Sequence, residues 1–178
     1  MASNEEIKAF LNNEKNAEAI AKDEAFLDAV SGGTIDVDVM AKKFESLGLE
    51  LDKEDVESIK KTAIEAAALP SKKLENIDLQ KISGGLSSEK AIEFGRDLGF
   101  VTGVTSAIGG LGCWIAKTAC KVKARKAAEK GNLNKANDLN KTAHYLDVIT
   151  GAALGTTVAS LGVSAGLGTT HEIKKGHN

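Results

Sequence analysis

The sequence predicts an all-α protein in which a small helical domain, a mobile segment and a glycine-rich helical hairpin follow one another. Apolar residues recur at helical spacing through residues 1–69, as at Ile7, Phe10 and Leu11. The only proline, Pro70, marks the end of this region. Two later segments, 98–116 and 148–170, contain no charged residue or histidine and are long enough to form helices.

The first helix is predicted to begin after Ser3. Ser3 and Glu6 form a capping-box pattern, in which each side chain accepts a hydrogen bond from the other residue's backbone. A second helix is expected to run through Ala17, Ile20, Phe26, Leu27 and Val30. Gly32-Gly33 should stop it.

A third helix is predicted from about Ile35 to Leu47, with three inward-facing residues, Val39, Met40 and Phe44. A fourth should start at Asp52, with Asp55 in its cap, and end before Pro70. Residues 1–69 are therefore expected to be one helical domain.

Charge divides the chain at Gly85. Residues 1–85 carry 11 Lys and 18 Asp and Glu, a net charge of −7, whereas residues 86–178 carry 12 Lys and Arg and 7 Asp and Glu, a net charge of +5. Glycine divides in the same way, with 5 before this point and 13 after it. Such an asymmetry predicts separate roles for the two halves.

The second half has the composition of a membrane-active peptide. As a helix, the 19 residues of 98–116 would be roughly 28 Å long, close to the thickness of a bilayer's hydrocarbon core. Small residues repeat at four-residue spacing, which favours close helix contacts in lipid. Trp114 lies just before Lys117, and Tyr145 lies just before the second apolar segment, as interfacial aromatic residues do. The basic stretch Lys117–Asp147 lies between the two segments and would be attracted to anionic headgroups. A soluble, glycine-rich helical pair is the alternative.

Residues 70–85 contain the most informative motif. Counting Gly85 as −1, Gly84 is −2, Ile82 is −4, Leu79 is −7, Asp78 is −8 and Leu74 is −12. The three apolar residues share one face of a helix that must end at the glycines. Two other glycine pairs, Gly32-Gly33 and Gly109-Gly110, lack this pattern. A flexible linker is the alternative interpretation.

This motif resembles the double-glycine leader of bacteriocins and related exported peptides. The resemblance implies a partner, the papain-like cysteine peptidase domain of an ABC exporter, which would cut between Gly85 and Leu86. Leu74, Asp78, Leu79 and Ile82 would be the recognition residues, docking as a helix in a groove. Glycines without a Cβ would thread a narrow cleft.

The N-terminal domain is similar to a second family, the nitrogen-fixation-related leader peptides. The similarity lies in the run from Met40 to Gly48 and the acidic helix start that ends at Asp55. Ala41 stands seven residues before Gly48, a looser spacing than the family's own. This resemblance covers the first half only, and it implies a long leader that folds.

Cys113 and Cys120 are a candidate cross-link. If one helix spans both, they are about 10.5 Å apart, beyond the reach of a disulfide. The helix would have to end between them, or a modifying enzyme would join a cysteine to dehydrated Thr105, Ser106 or Thr118 in a thioether. Two buried thiols are the remaining alternative.

The sequence favours a non-enzyme without a cofactor. The histidines have no zinc spacing with the cysteines, and the basic stretch lacks the interleaved aromatic residues of a nucleic-acid site. Met1–Phe10 has no general secretory signal, so export needs another route.

The predicted function is therefore a cytoplasmic precursor that releases a secreted, bacteriocin-like peptide acting on membrane lipid. The alternatives are an uncleaved, holin-like protein with two membrane spans and a cytoplasmic helical domain, and a soluble helical interaction module. One observable distinguishes these uncleaved forms from the precursor: the cell would retain the full-length chain.

Overall fold

The computed structural model describes residues 2–69 and 107–154. These residues form seven α-helices and no strand, which confirms the predicted all-α class. The helices are α1 (Asn4–Leu11), α2 (Glu14–Lys22), α3 (Glu24–Ser31), α4 (Val37–Ser46), α5 (Lys53–Ala67), α6 (Ala107–Glu129) and α7 (Leu133–Ala153).

The helix starts predicted at Ser3 and Asp52 are confirmed. The Glu6 backbone N–H donates to Ser3 Oγ over 3.2 Å, and Glu6 Oε2 accepts from the Ser3 backbone N–H over 2.7 Å. The side chain of Asp52 accepts from the backbone N–H of Asp55 over 2.8 Å. These bonds satisfy backbone donors that have no partner within the first turn of a helix.

The prediction of one continuous second helix is wrong, because the chain forms two helices there, α2 and α3, which are separated at Asp23. This residue ends α2 and caps α3, since its Oδ1 accepts from the backbone N–H of Phe26 over 3.1 Å. Its Oδ2 accepts from Lys43 Nζ over 2.6 Å, and this bond is the main cause that lowers the pKa of Asp23. A short acidic side chain that bonds nearby backbone competes with helix continuation.

Val39 was predicted to face inward, and this is also wrong. Met40 and Phe44 are fully buried, but Val39 is 56% exposed. Residues four apart share a helix face, whereas Val39 is rotated by about 100° from Met40. The buried face of α4 is thus narrower than its apolar residues suggest.

The two described C-terminal helices pack as a hairpin, but the turn between them is much shorter than predicted. The sequence placed them in the uncharged segments 98–116 and 148–170, with the basic stretch between. Instead α6 continues to Glu129 and α7 begins at Leu133, so most of the basic stretch is helical. Its Ala, Lys and Arg residues are good helix formers. Gly131 turns the chain with a φ of 75°.

Three threonine hydroxyls in this hairpin are satisfied within their own helix. Thr118, Thr142 and Thr150 each donate to the carbonyl oxygen four residues earlier, over 2.9, 3.1 and 2.7 Å. Their side chains are buried. Buried hydroxyls need a partner, and this local bond provides one without a second helix.

Helix α6 lies at the centre of the described fold, between the N-terminal helices α1–α5 on one side and α7 on the other. One cluster of buried side chains contains Ile7, Phe44 and Ile59 together with Leu111 and Ile115 of α6. A second cluster joins Ala66 of α5 to α6 and α7. Among residues 2–69 and 107–154, no helix is both long and apolar enough to cross a membrane.

Candidate functional site

The surface between α6 and the N-terminal helices is the best-defined candidate site, and Trp114 lies at its centre. Trp114 is only 6% exposed, and its ring meets the Phe10 ring edge-on with centroids 6.3 Å apart. Phe10 in turn meets Phe44 at 5.9 Å. In this fold Trp114 packs against Phe10, which links it to α4 through Phe44. Its place at a membrane–water interface in the released peptide stays a prediction.

Helix α6 approaches α5 so closely that only glycine fits at Gly112. A Cβ there would lie 2.7 Å from Thr62 Cβ and 3.0 Å from the carbonyl oxygen of Ile59. The atoms that would have to move belong to the backbone of α5 and to its Thr62 side chain. Gly112 therefore sets the distance between these two helices.

The basic end of α6 pairs with the acidic helix α3. Glu24 accepts from Lys126 over 2.8 Å and from Arg125 over 3.3 Å, and Lys123 Nζ donates to Ser31 Oγ over 2.7 Å. The contact with Lys126 lowers the pKa of Glu24, and Glu24 raises the pKa of Lys126. Acidic residues of the first half of the sequence and basic residues of the second half therefore form ion pairs at the surface of the fold.

One ion pair joins α6 to α7. Lys117 Nζ lies 2.5 Å from Asp147 Oδ1, and the two side chains are only 10% and 26% exposed. A charge held this far from water needs its partner, because desolvation of an unpaired ion costs several kcal/mol. Lys117 also contributes, after burial itself, to lowering the pKa of the next cation on this helix, Lys121.

Cys113 and Cys120 are free, buried thiols, and α6 spans both of them. Residues seven apart in one helix are about 10.5 Å apart, so a disulfide between them does not fit this fold. Burial raises the pKa of Cys113 to about 12 and that of Cys120 to about 11, the latter against the opposing effect of Lys123. The thioether predicted for the secreted peptide stays a prediction.

Both thiols should therefore react very slowly with a thiol-specific reagent such as Ellman's reagent in the folded chain. Only the thiolate attacks, and these pKa values leave almost none near pH 8. In concentrated urea both should react at the rate of a model thiol. Rapid titration of either cysteine in the native protein would contradict the buried arrangement.

The predicted cleavage motif lies outside the described residues. Its members are Leu74, Asp78, Leu79, Ile82, Gly84, Gly85 and Leu86. In the sequence, the motif lies between α5, which ends at Ala67, and α6, which is described from Ala107. The proposed recognition roles of these residues stay predictions.

Within the described ranges, no three His, Cys, Asp or Glu side chains are grouped so that they could hold a metal ion. His144 lies beside Tyr145, with ring centroids 6.1 Å apart. Comparisons with known protein families, with curated proteins and with solved structures gave no match.

Proposed function

We propose that the chain is the precursor of an exported, bacteriocin-like peptide and that it is cut after Gly85. The peptidase domain of an ABC exporter would bind the segment before the glycines and release a peptide beginning at Leu86. The precursor itself performs no catalysis in this proposal. The released peptide, which is basic and rich in glycine, would act on membranes.

The observation that carries this proposal is the complete double-glycine pattern ending at Gly85. Apolar residues occupy −4, −7 and −12, and Asp78 occupies −8. The net charge changes from −7 to +5 at the same place. In the described structure, separate helices lie on both sides of the motif, so a cut there would leave every described helix whole.

Each part of the motif has a physical role in this proposal. Leu74, Leu79 and Ile82 would form the apolar face of a helix that docks in a groove of the peptidase domain. Gly84 and Gly85 would follow in extended form, where the absence of side chains lets the backbone enter a narrow cleft. The leader would be folded, because helices α1–α5 precede the motif in the sequence.

Intact-mass spectrometry tests the proposal directly. The purified chain is mixed with the peptidase domain of a double-glycine exporter, preferably one encoded near the precursor. A product beginning at Leu86 supports the precursor function, and its mass also reports any dehydration or cross-link. A chain that its cognate peptidase leaves intact would favour an uncleaved membrane protein, with Gly84-Gly85 as a hinge.

Gly85→Leu should abolish cleavage, because a branched side chain cannot enter the cleft that the two glycines are proposed to occupy. The measurement is the yield of the Leu86 product with time, for an expected loss of at least about a hundredfold, since misplacing a scissile bond by an ångström costs about that much. Ser83→Ala is the matched control and should be cut like the native chain. Normal processing of Gly85→Leu would remove the main claim.

A further inference from the structure

Helix α6 is bound by the N-terminal helices as a partner would be, although both belong to one chain. The contact has a buried aromatic centre, in which Trp114 meets Phe10. It has a position of close approach at Gly112. A charged rim, in which Glu24 faces Arg125 and Lys126, lies at one end. A central aromatic anchor with a polar rim is the anatomy of specific protein interfaces.

None of these contacts involves residues 70–106, which connect α5 to α6 in the sequence. They join residues 2–69 to residues 107–126, and the backbone bond proposed to be cut lies in neither range. Cutting that bond removes only the tether, and thus the high effective concentration that it provides. The buried contacts of Trp114 and Gly112 remain available.

We propose that helices α1–α5 form a binding site for α6 that outlasts cleavage, so that the two products stay together as a non-covalent complex. This inference rests on the proposed function for its biological setting, since it concerns the products of a cut after Gly85. The partner is defined by its chemistry: a helix with glycine at the close approach, one tryptophan and a basic C-terminal end. Backbone cleavage alone would not set the peptide free.

The test uses the full chain with Gly84-Gly85 replaced by the recognition site of a sequence-specific protease. The protein is cut to completion, as judged by mass spectrometry, and then applied to gel filtration. Elution of both fragments in one peak in equal amounts is the expected result. Separate elution of the fragments, or precipitation of one of them, would overturn the inference.

Trp114 gives a second measurement, because it is the only tryptophan of the chain. Its emission should stay at the short wavelength of a buried indole after the cut. On serial dilution it should shift to the red as the complex dissociates, which yields the dissociation constant. An immediate red shift on cutting, at any protein concentration, would contradict the proposal.

Variants at the close approach separate specific binding from general stability. Gly112→Ala brings a Cβ against Thr62 Cβ and should raise the dissociation constant by about 5- to 150-fold, the range that moderate overpacking produces. Combining it with Thr62→Gly removes the Thr62 atoms, the nearest of those in the way, and leaves the Ile59 carbonyl oxygen at 3.0 Å, so it should restore part of the affinity. Gly131→Ala is the control, since the positive φ at this position strains an alanine but nothing lies within 4 Å of the added Cβ. It should leave the dissociation constant unchanged.

The outcomes distinguish this inference from the proposed function. The engineered site makes the cut independent of the double-glycine motif. If the exporter peptidase fails to cut the native chain but the engineered fragments stay together, the precursor function fails and the binding site stands. If the native chain is cut after Gly85 and its products separate, the precursor function stands and the binding site fails.

Discussion

Replacing Trp114 with alanine should lower the free energy of unfolding of the full-length chain by about 3–5 kcal/mol, the usual cost of removing a large buried aromatic side chain. Trp114 is 6% exposed and belongs to the core cluster that α1–α5 share with α6. Urea denaturation followed by far-ultraviolet circular dichroism gives the value without relying on tryptophan emission.

Leu133→Ala is the matched control for this change. Leu133 begins α7 and is 64% exposed, so its truncation should change the free energy of unfolding by no more than about 0.5 kcal/mol. The Phe10→Ala and Trp114→Ala double-mutant cycle should give a coupling of about 0.5–1.5 kcal/mol from the edge-on ring contact. Equal effects of Trp114→Ala and Leu133→Ala would show that α6 does not pack against α1.

Replacing Asp147 with alanine should destabilise the chain by about 3 kcal/mol, near the lower end for breaking a buried ion pair. The lower end applies because the Asp147 side chain is 26% exposed, so water can partly solvate what remains. The loss arises from Lys117, whose side chain is only 10% exposed and whose ammonium group would be left unpaired and only partly solvated. Urea denaturation at neutral pH gives the value.

The double variant Lys117→Met with Asp147→Leu distinguishes two contributions to the free energy of unfolding: the stabilisation by the ion pair and the cost of leaving one charge unpaired. Two apolar side chains of similar size remove both desolvation penalties, so the double variant should recover most of the stability that Asp147→Ala loses. If the double variant were as unstable as Asp147→Ala, the ion pair itself would provide the stabilisation.

Much of the helical architecture could be predicted from local sequence signals. Ser3 with Glu6 and Asp52 with Asp55 mark helix starts because short polar side chains satisfy free backbone donors there. The break at Asp23 was missed although it uses the same chemistry, because the surrounding apolar spacing continues across it. Asp23 also accepts a hydrogen bond from Lys43 of α4, a tertiary contact that the local pattern does not reveal.

The candidate site was harder to predict. Long uncharged segments drew attention to membranes, yet in the described fold the α6 part of one segment is buried by protein. The opposite charges of the two halves were the signal for that contact, since Glu24 on α3 meets Lys126 on α6. Sequence alone could not assign Gly112, because a close approach depends on which helix lies opposite.

The threonine hydroxyls of α6 and α7 have a consequence for how this hairpin could change its surroundings. Among the described residues, the hydroxyls of Thr118, Thr142 and Thr150 donate to carbonyl oxygens of their own helix, so these bonds do not depend on a neighbouring helix. When a neighbouring helix leaves, none of the three hydroxyls loses that acceptor. A hairpin built in this way can exchange a protein neighbour for a less polar one without exposing an unsatisfied hydroxyl.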